Sequence, residues 1–269
     1  MAPAMIVFAA GAQTPAPEPA ERSAIVSRMQ EAARAYADRL QNFTCTQFLV
    51  RSAGNSPDGP HWKKLDTQEA ELDYVDRKEH YTLLRVDGQA TDATKRIKQG
   101  PYLTPGGEFG AMLQKIFTPQ AQAGFEWDHE EADGAARSCV FRYKVSQATS
   151  TEVIRVDGDS VRVGHHGMVW ADCETGSVKQ FRLESDFGEV QLKRAGPRFP
   201  VGFQLDVHYA PVAIGAQEFL LPHTVEETSL FDKTWTRVEI RFEQYRKYDA
   251  NSVNQIRRRQ VTGMARPVC

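Results

Sequence analysis

Residues 234–248, TWTRVEIRFEQYRKY, decide the fold. Val238, Ile240 and Phe242 alternate with Arg237, Glu239, Arg241 and Glu243, and a period of two places an apolar row and a charged row on opposite faces of a strand. The beat returns in 138–145 (SCVFRYKV), where Cys139, Phe141, Tyr143 and Val145 share a face. It returns again in 205–209 (LDVHY) with Leu205, Val207 and Tyr209. An antiparallel sheet with one apolar face must cover it with a second layer or with a ligand, so the cover is the functional question.

Two helical stripes can supply that cover. In 21–40, Ile25, Met29, Ala32, Ala33, Tyr36 and Leu40 fall on one side of a helix. In 108–117, Phe109, Met112, Leu113, Ile116 and Phe117 form a second stripe, introduced by Pro105, Gly106 and Gly107 and stopped by Thr118-Pro119. Pro119 reads as the first residue of a further short turn ending at Gly124. Burying each of those five side chains contributes about 1.5–3 kcal/mol, so the stripe faces something apolar. Between the helices, 42–51 (NFTCTQFLVR) reads as a strand and 53–60 as a long hairpin loop. Further strands are expected at 62–66, 69–75 and 80–86, with a turn at Val86-Asp87-Gly88-Gln89. Beyond Phe125, turn signals at Asp133-Gly134, Asp157-Gly158-Asp159, Thr175-Gly176 and Ala195-Gly196-Pro197 space an antiparallel meander.

Of 269 residues, Lys and Arg number 33 and Asp and Glu 35, a net charge of -2 that gives no basic field for nucleic acid. Arg257, Arg258 and Arg259 lie in a tail without interleaved aromatics. The division expected is a truncated signal peptide over 1–12, a Pro-rich linker over 13–20, one domain over 21–252 and a basic tail over 253–269. The export reading rests on an apolar run from Ala4 to Ala10 followed by Ala10-Gly11-Ala12, small residues that signal peptidase accepts. Met1 to Met5 lack a basic residue, which suggests a start placed too far downstream. No later segment has the roughly 18 consecutive apolar residues of a membrane span, so the expected product is soluble in the periplasm or outside the cell.

Recognisable chemistry is scarce. Cys45, Cys139, Cys173 and Cys269 contain no C-x-x-C, and their possible pairings stay open. His165 and His166 are neighbours, point to opposite faces of an extended chain and make a poor pair of metal ligands. Asp172 and Cys173 lead into Glu174-Thr175-Gly176, which reads as a turn unless a histidine reaches the thiol. Gly106 to Gly110 lacks the spacing of a phosphate loop. The carboxylates read as scattered over wet faces. No catalytic residue, metal site or cofactor is expected.

A helix, Asn42-Phe43-Thr44-Cys45-Thr46-Gln47 entering a first strand, and a long meander together resemble the LolA/LolB superfamily of bacterial lipoprotein carriers. Gly107-Glu108-Phe109-Gly110, Ile116-Phe117, Phe219-Leu220-Leu221-Pro222 and Tyr245-Arg246-Lys247-Tyr248 resemble a group of secreted bacterial proteins of unassigned activity. The resemblance implies a curved, incompletely closed sheet wrapped on helices around an apolar cavity for acyl chains. It also lays Tyr74-Val75-Asp76-Arg77 over a strand end whose arginine helps govern cavity opening. Here the following proline is missing and Asp76 is acidic, so a gating Arg77 stands beside an Arg77 in a solvated turn.

The expectation is thus an α+β fold, a curved antiparallel sheet forming an incomplete barrel, with an N-terminal helix and a second helix on the concave face. Its expected work is to carry or bind a lipid, a lipoprotein acyl chain or another apolar ligand, with an envelope protein as a further partner. Tyr36, Leu40, Phe109, Leu113, Phe117, Phe141, Tyr143, Val207, Tyr209, Val238 and Ile240 are expected along a cavity of about 300–1,000 Å³. A non-catalytic envelope module is the alternative, and a hydrolase using His165, His166 and Cys173 the third.

Overall fold

The structure, a computed structural model, describes residues 16–59, 61–91, 107–133, 136–156, 159–191 and 196–249. The expected signal segment, the arginine cluster 257–259, Cys269 and the turns at 133–134, 157–158 and 195 lie wholly or partly outside them.

The chain runs α1 (Pro19–Arg39), β1 (Phe43–Gly54), β2 (Lys63–Val75), β3 (Lys78–Val86), β4 (Gln89–Ala90) and α2 (Ala111–Phe117). A 3-10 turn (Pro119–Ala121) leads to β5 (Gly124–Asp133), β6 (Ala136–Val145), β7 (Val153–Val156), β8 (Asp159–Arg162) and β9 (His165–Asp172). Then come β10 (Val178–Ser185), β11 (Gly188–Val190), β12 (Phe199–Ile214), β13 (Gln217–Phe231) and β14 (Thr234–Lys247).

Twelve of these strands form one sheet in the order β4-β3-β2-β1-β14-β13-β12-β10-β9-β6-β5, with β11 beside β12, while β7 and β8 pair separately. Every pairing is antiparallel, including that of β1 with β14, which joins the two ends of the described sheet sequence from Phe43↔Lys247 to Gly54↔Trp235. The sheet is open and curved, since β4 and β5 end the order without meeting. Bulges bend it. One lies between Thr44 and Thr46, opposite Gln244, whose φ of 57 is left-handed.

One face is dry. Cys139, Phe141, Tyr143 and Val145 of β6, Leu205, Val207 and Tyr209 of β12 and Val238, Ile240 and Phe242 of β14 are all buried. Ile25, Met29 and Ala33 of α1 and Leu113, Ile116 and Phe117 of α2 meet them in a single core. The fold class read from alternation therefore stands.

Local boundaries differ for identifiable reasons. Helix α1 begins at Pro19, inside the expected linker, because proline at the first helical position gives up no needed N–H. Residues 62–66 and 69–75 join into the single strand β2, with a register shift against β3 between Glu69 and Ala70. The second helix starts at Ala111 rather than at 108, since Gly107 (φ 94) and Gly110 (φ 124) take left-handed conformations that end regular helix before it starts. Phe109 sits in that turn and is still 2% exposed. A methyl group at Gly110 would lie 3.2 Å from Cβ of Ala37, so this glycine also lets α2 approach α1.

Strand β6 lies beside β9, with Cys139 opposite Ala171. Two residues further along, at the end of β9, Cys173 reaches Cys139 in a disulfide with Cα atoms 5.1 Å apart. The bond closes a loop with a sequence separation of 34. Reduction, or joint Cys139→Ser and Cys173→Ser, is expected to lower unfolding free energy by about 2–4 kcal/mol, measured by denaturant titration with and without reductant. Cys45 is a free, buried thiol whose ionisation burial strongly disfavours.

Candidate functional site

The helices do not fill the dry face completely. A cavity of about 220 Å³ remains between α1, α2, β10 and β13. Ala32, Tyr36 and Leu40 line it from α1 and its end, Leu113 from α2, and Val178 and Phe219 from the sheet. Arg39 and Glu218 add polar groups to the lining. Tyr36 is pinned: its hydroxyl donates to the Leu220 carbonyl at 2.8 Å and its ring meets the Tyr209 edge at 5.8 Å.

Of the residues expected along a cavity wall, Tyr36, Leu40 and Leu113 border this one. The others are packed among one another or against neighbours. Phe109 contacts the rings of Phe43 and Phe242, each at 5.2 Å, Phe117 stacks on Phe125 at 5.5 Å, and Phe141 meets Trp127 at 5.4 Å. Tyr143 faces His165, and Val207, Val238 and Ile240 are buried in the sheet's dry face. Arg77 stands in the β2–β3 turn with φ 62, largely exposed, and its guanidinium donates to Asp38 of α1 at 2.5 Å. It does not line the cavity; it ties a strand end to the helix that does.

Carboxylates are not all on wet faces, which corrects the reading made from the sequence. Glu108, in the turn before α2, is 1% exposed, and Glu227 of β13 is 6% exposed. Glu227 sits opposite Leu205 of β12 and Val238 of β14, in the middle of the dry face. Its Oε1 and Oε2 of Glu108 have no hydrogen-bond partner. Around them lie Lys115 of α2, paired with buried Glu152 at 2.5 Å, and Glu79 of β3, which accepts the Gly107 N–H at 3.0 Å. The Tyr209 hydroxyl donates to the Glu108 carbonyl at 2.9 Å. His165 is fully buried, 3.4 Å from the Tyr143 hydroxyl through Nδ1, and its Nε2 is unpartnered. His166 is exposed, as neighbours on a strand require.

Burial dominates the protonation of this cluster. It pushes Glu108 up to about 8, with Glu79 and Glu227 adding repulsion, and Glu227 up to about 7, with Glu152 adding to it. It pushes His165 down to about 4, so the imidazole is neutral at ordinary pH. A carboxyl group whose folded value is raised binds its proton more tightly folded than unfolded. Stability is therefore highest at low pH and falls as pH rises from the ordinary glutamate value to the folded one. Glu227→Gln removes that loss, so the variant is expected to exceed the wild type by about 3 kcal/mol near pH 9 and to match it near pH 5 in urea titrations.

Cys173 and His165 stand at opposite ends of β9, roughly 25 Å apart along an extended strand. The thiol is also spent in the disulfide. The hydrolase reading on His165, His166 and Cys173 therefore fails. The solvent-facing side of the sheet carries a groove of about 850 Å³ across β1, β14, β13, β12 and β10. Charges within it are engaged: Arg182 pairs with Asp206 at 2.8 Å, and Arg241 lies over the Phe48 ring at 5.3 Å. Among the described residues no helix is long and apolar enough to cross a membrane.

No family model and no curated protein matches the chain. Among solved structures it is similar to a domain assigned to outer membrane lipoprotein sorting from Vibrio parahaemolyticus, at 13% identity and TM-score 0.36, over 86% of this chain and 96% of that one. It is similar to a LolA superfamily protein from Nitrosomonas europaea at 9% identity and TM-score 0.31, over 84% and 93%. It is also similar to a DUF1329 family protein from Desulfovibrio piger at 9% identity and TM-score 0.37, over 85% and 93%. The resemblance read in the sequence has counterparts among solved structures.

Proposed function

We propose that the protein carries or binds a lipid, a lipoprotein acyl chain or another apolar ligand in the cell envelope. The observation that carries this reading is the cavity between α1, α2 and the sheet, with apolar walls and Arg39 and Glu218 among its lining. Its volume of about 220 Å³ falls below the roughly 300–1,000 Å³ of ordinary ligand pockets, so an acyl chain enters only as a helix shifts outward. Arg77 and Asp38 tether α1 to the sheet and resist that shift. The Cys139–Cys173 disulfide supports export, since such bonds persist in oxidising compartments.

Titration with a fluorescent fatty acid tests the reading. Saturable binding by the wild type is expected, and Ala32→Phe, which fills the cavity, should weaken it about tenfold or more without lowering the melting temperature. Arg77→Leu should change uptake and release rates more than melting, because both partners of its ion pair are largely exposed. Absence of binding, or equal binding by Ala32→Phe, would refute the reading. The outer groove favours a second one, an interaction module of the envelope, which binding-negative protein that pulls down an envelope partner would support.

A further inference from the structure

Segment 107–117 forms part of the cavity wall through Leu113 and carries, on Glu108, one of two orphaned acidic oxygens, the other being on Glu227 of β13. Its hold on the protein is specific and limited. The Gly107 N–H donates to Glu79, the Glu108 carbonyl accepts from Tyr209, and Lys115 pairs with Glu152. No side chain caps α2, and left-handed glycines stand at 107 and 110. Phe109, Leu113, Ile116 and Phe117 then anchor the segment by burial alone.

We propose that this segment is a proton-operated plug over the sheet, seated while Glu108 and Glu227 are protonated and lifted when both ionise, which enlarges the cavity for an apolar ligand. The charge balance drives it. Glu79 repels Glu108 and Glu152 repels Glu227, while Lys115, the cation that the described residues bring against the two orphaned acids, is already paired with Glu152. Among the described residues the further titratable groups facing the cluster are Tyr81 of β3, Tyr143 of β6, Tyr209 of β12, Tyr245 of β14, Tyr36 of α1 and His165 of β9. Burial raises all five tyrosines and lowers the histidine, so each is neutral across the working range. Asp186 and His166 act on His165 from the solvent side. Among the described residues nothing in the cluster supplies the second positive charge that two ionised buried carboxylates need, and moving them toward water is the available relief. The folded values of about 8 and about 7 place the transition near neutrality.

The inference rests on the carrier reading for its purpose and not for its test, which uses ligand-free protein. Amide hydrogen exchange, corrected for the intrinsic pH dependence of exchange, is followed in 107–117 and in β12–β14 between about pH 6 and pH 9. Protection in 107–117 should fall about tenfold or more while that of the strands stays level, and Glu227→Gln should hold the segment's protection at high pH. The double variant Glu108→Gln with Glu227→Gln should flatten the profile further. Flat protection in the wild type, or an equal fall in Glu227→Gln, overturns the plug. A plug that opens in a protein that binds no fatty acid refutes the carrier reading alone, and fatty-acid binding with flat protection refutes the plug alone.

Discussion

Leu113→Asp is expected to lower unfolding free energy by roughly 4–5 kcal/mol, enough to leave much of the chain unfolded at room temperature. Leu113 is 1% exposed and lies at the centre of the α2 stripe, facing the sheet across the cavity. An aspartate there meets the same interface that already holds the orphaned oxygens of Glu108 and Glu227, with Lys115 engaged by Glu152. An unpaired charge in such a place is among the most costly single changes a core can suffer. Urea titration measures it, and an unchanged midpoint would put this helix face in water.

Phe109→Ala is expected to cost about 3–5 kcal/mol, the range for removing a buried aromatic side chain. Phe109 is the hub of the aromatic cluster that joins the turn before α2 to β1, β2 and β14. Its ring lies 5.2 Å from Phe43, 5.9 Å from Tyr74, 5.2 Å from Phe242 and 6.5 Å from Tyr245. Removing it leaves a void between a seven-residue helix and the sheet, where the bond from the Gly107 N–H to Glu79 and the bond from the Tyr209 hydroxyl to the Glu108 carbonyl are the polar ties left at the helix start. Thermal and urea unfolding should agree on the loss, and the fluorescent fatty acid should bind the surviving folded fraction with altered affinity. A loss below about 1 kcal/mol would mean that the turn contributes nothing to the core.

The sheet was legible because alternation is a direct consequence of strand geometry. Val238, Ile240 and Phe242 had to share a face, and the pairing of β14 with β13 and β1 then put the faces of three strands in phase. The two helices were legible from their stripes. The start of α2 was not, because Phe109 fits the helical spacing while the left-handed glycines on either side of it remove the helix. The disulfide was hidden for a different reason: nothing local to Cys139 or Cys173 reveals that β6 and β9 are neighbours.

The buried acids were half legible. Glu226 and Glu227 are consecutive in a strand, so one of them must face inward, just as His165 and His166 must divide between the faces. Val225, two residues before Glu227 and apolar, marks the inward phase. What no single strand could reveal is that the position falls between Leu205 and Val238, within electrostatic reach of Lys115 of α2, rather than at a sheet margin. The burial of Glu108 and Glu152 depends on how the turn before α2 and the β6–β7 connection fold over the sheet, which has no periodic signature.

Native mass spectrometry of the protein purified from its own envelope under conditions that preserve lipid contacts tests the central claim most directly. The account predicts adducts whose masses match an acyl lipid or lipoprotein, near stoichiometric for the wild type and largely lost from Ala32→Phe. Protein that is free of adducts when isolated, and that stays so after incubation with fatty acids on either side of neutral pH, would contradict it.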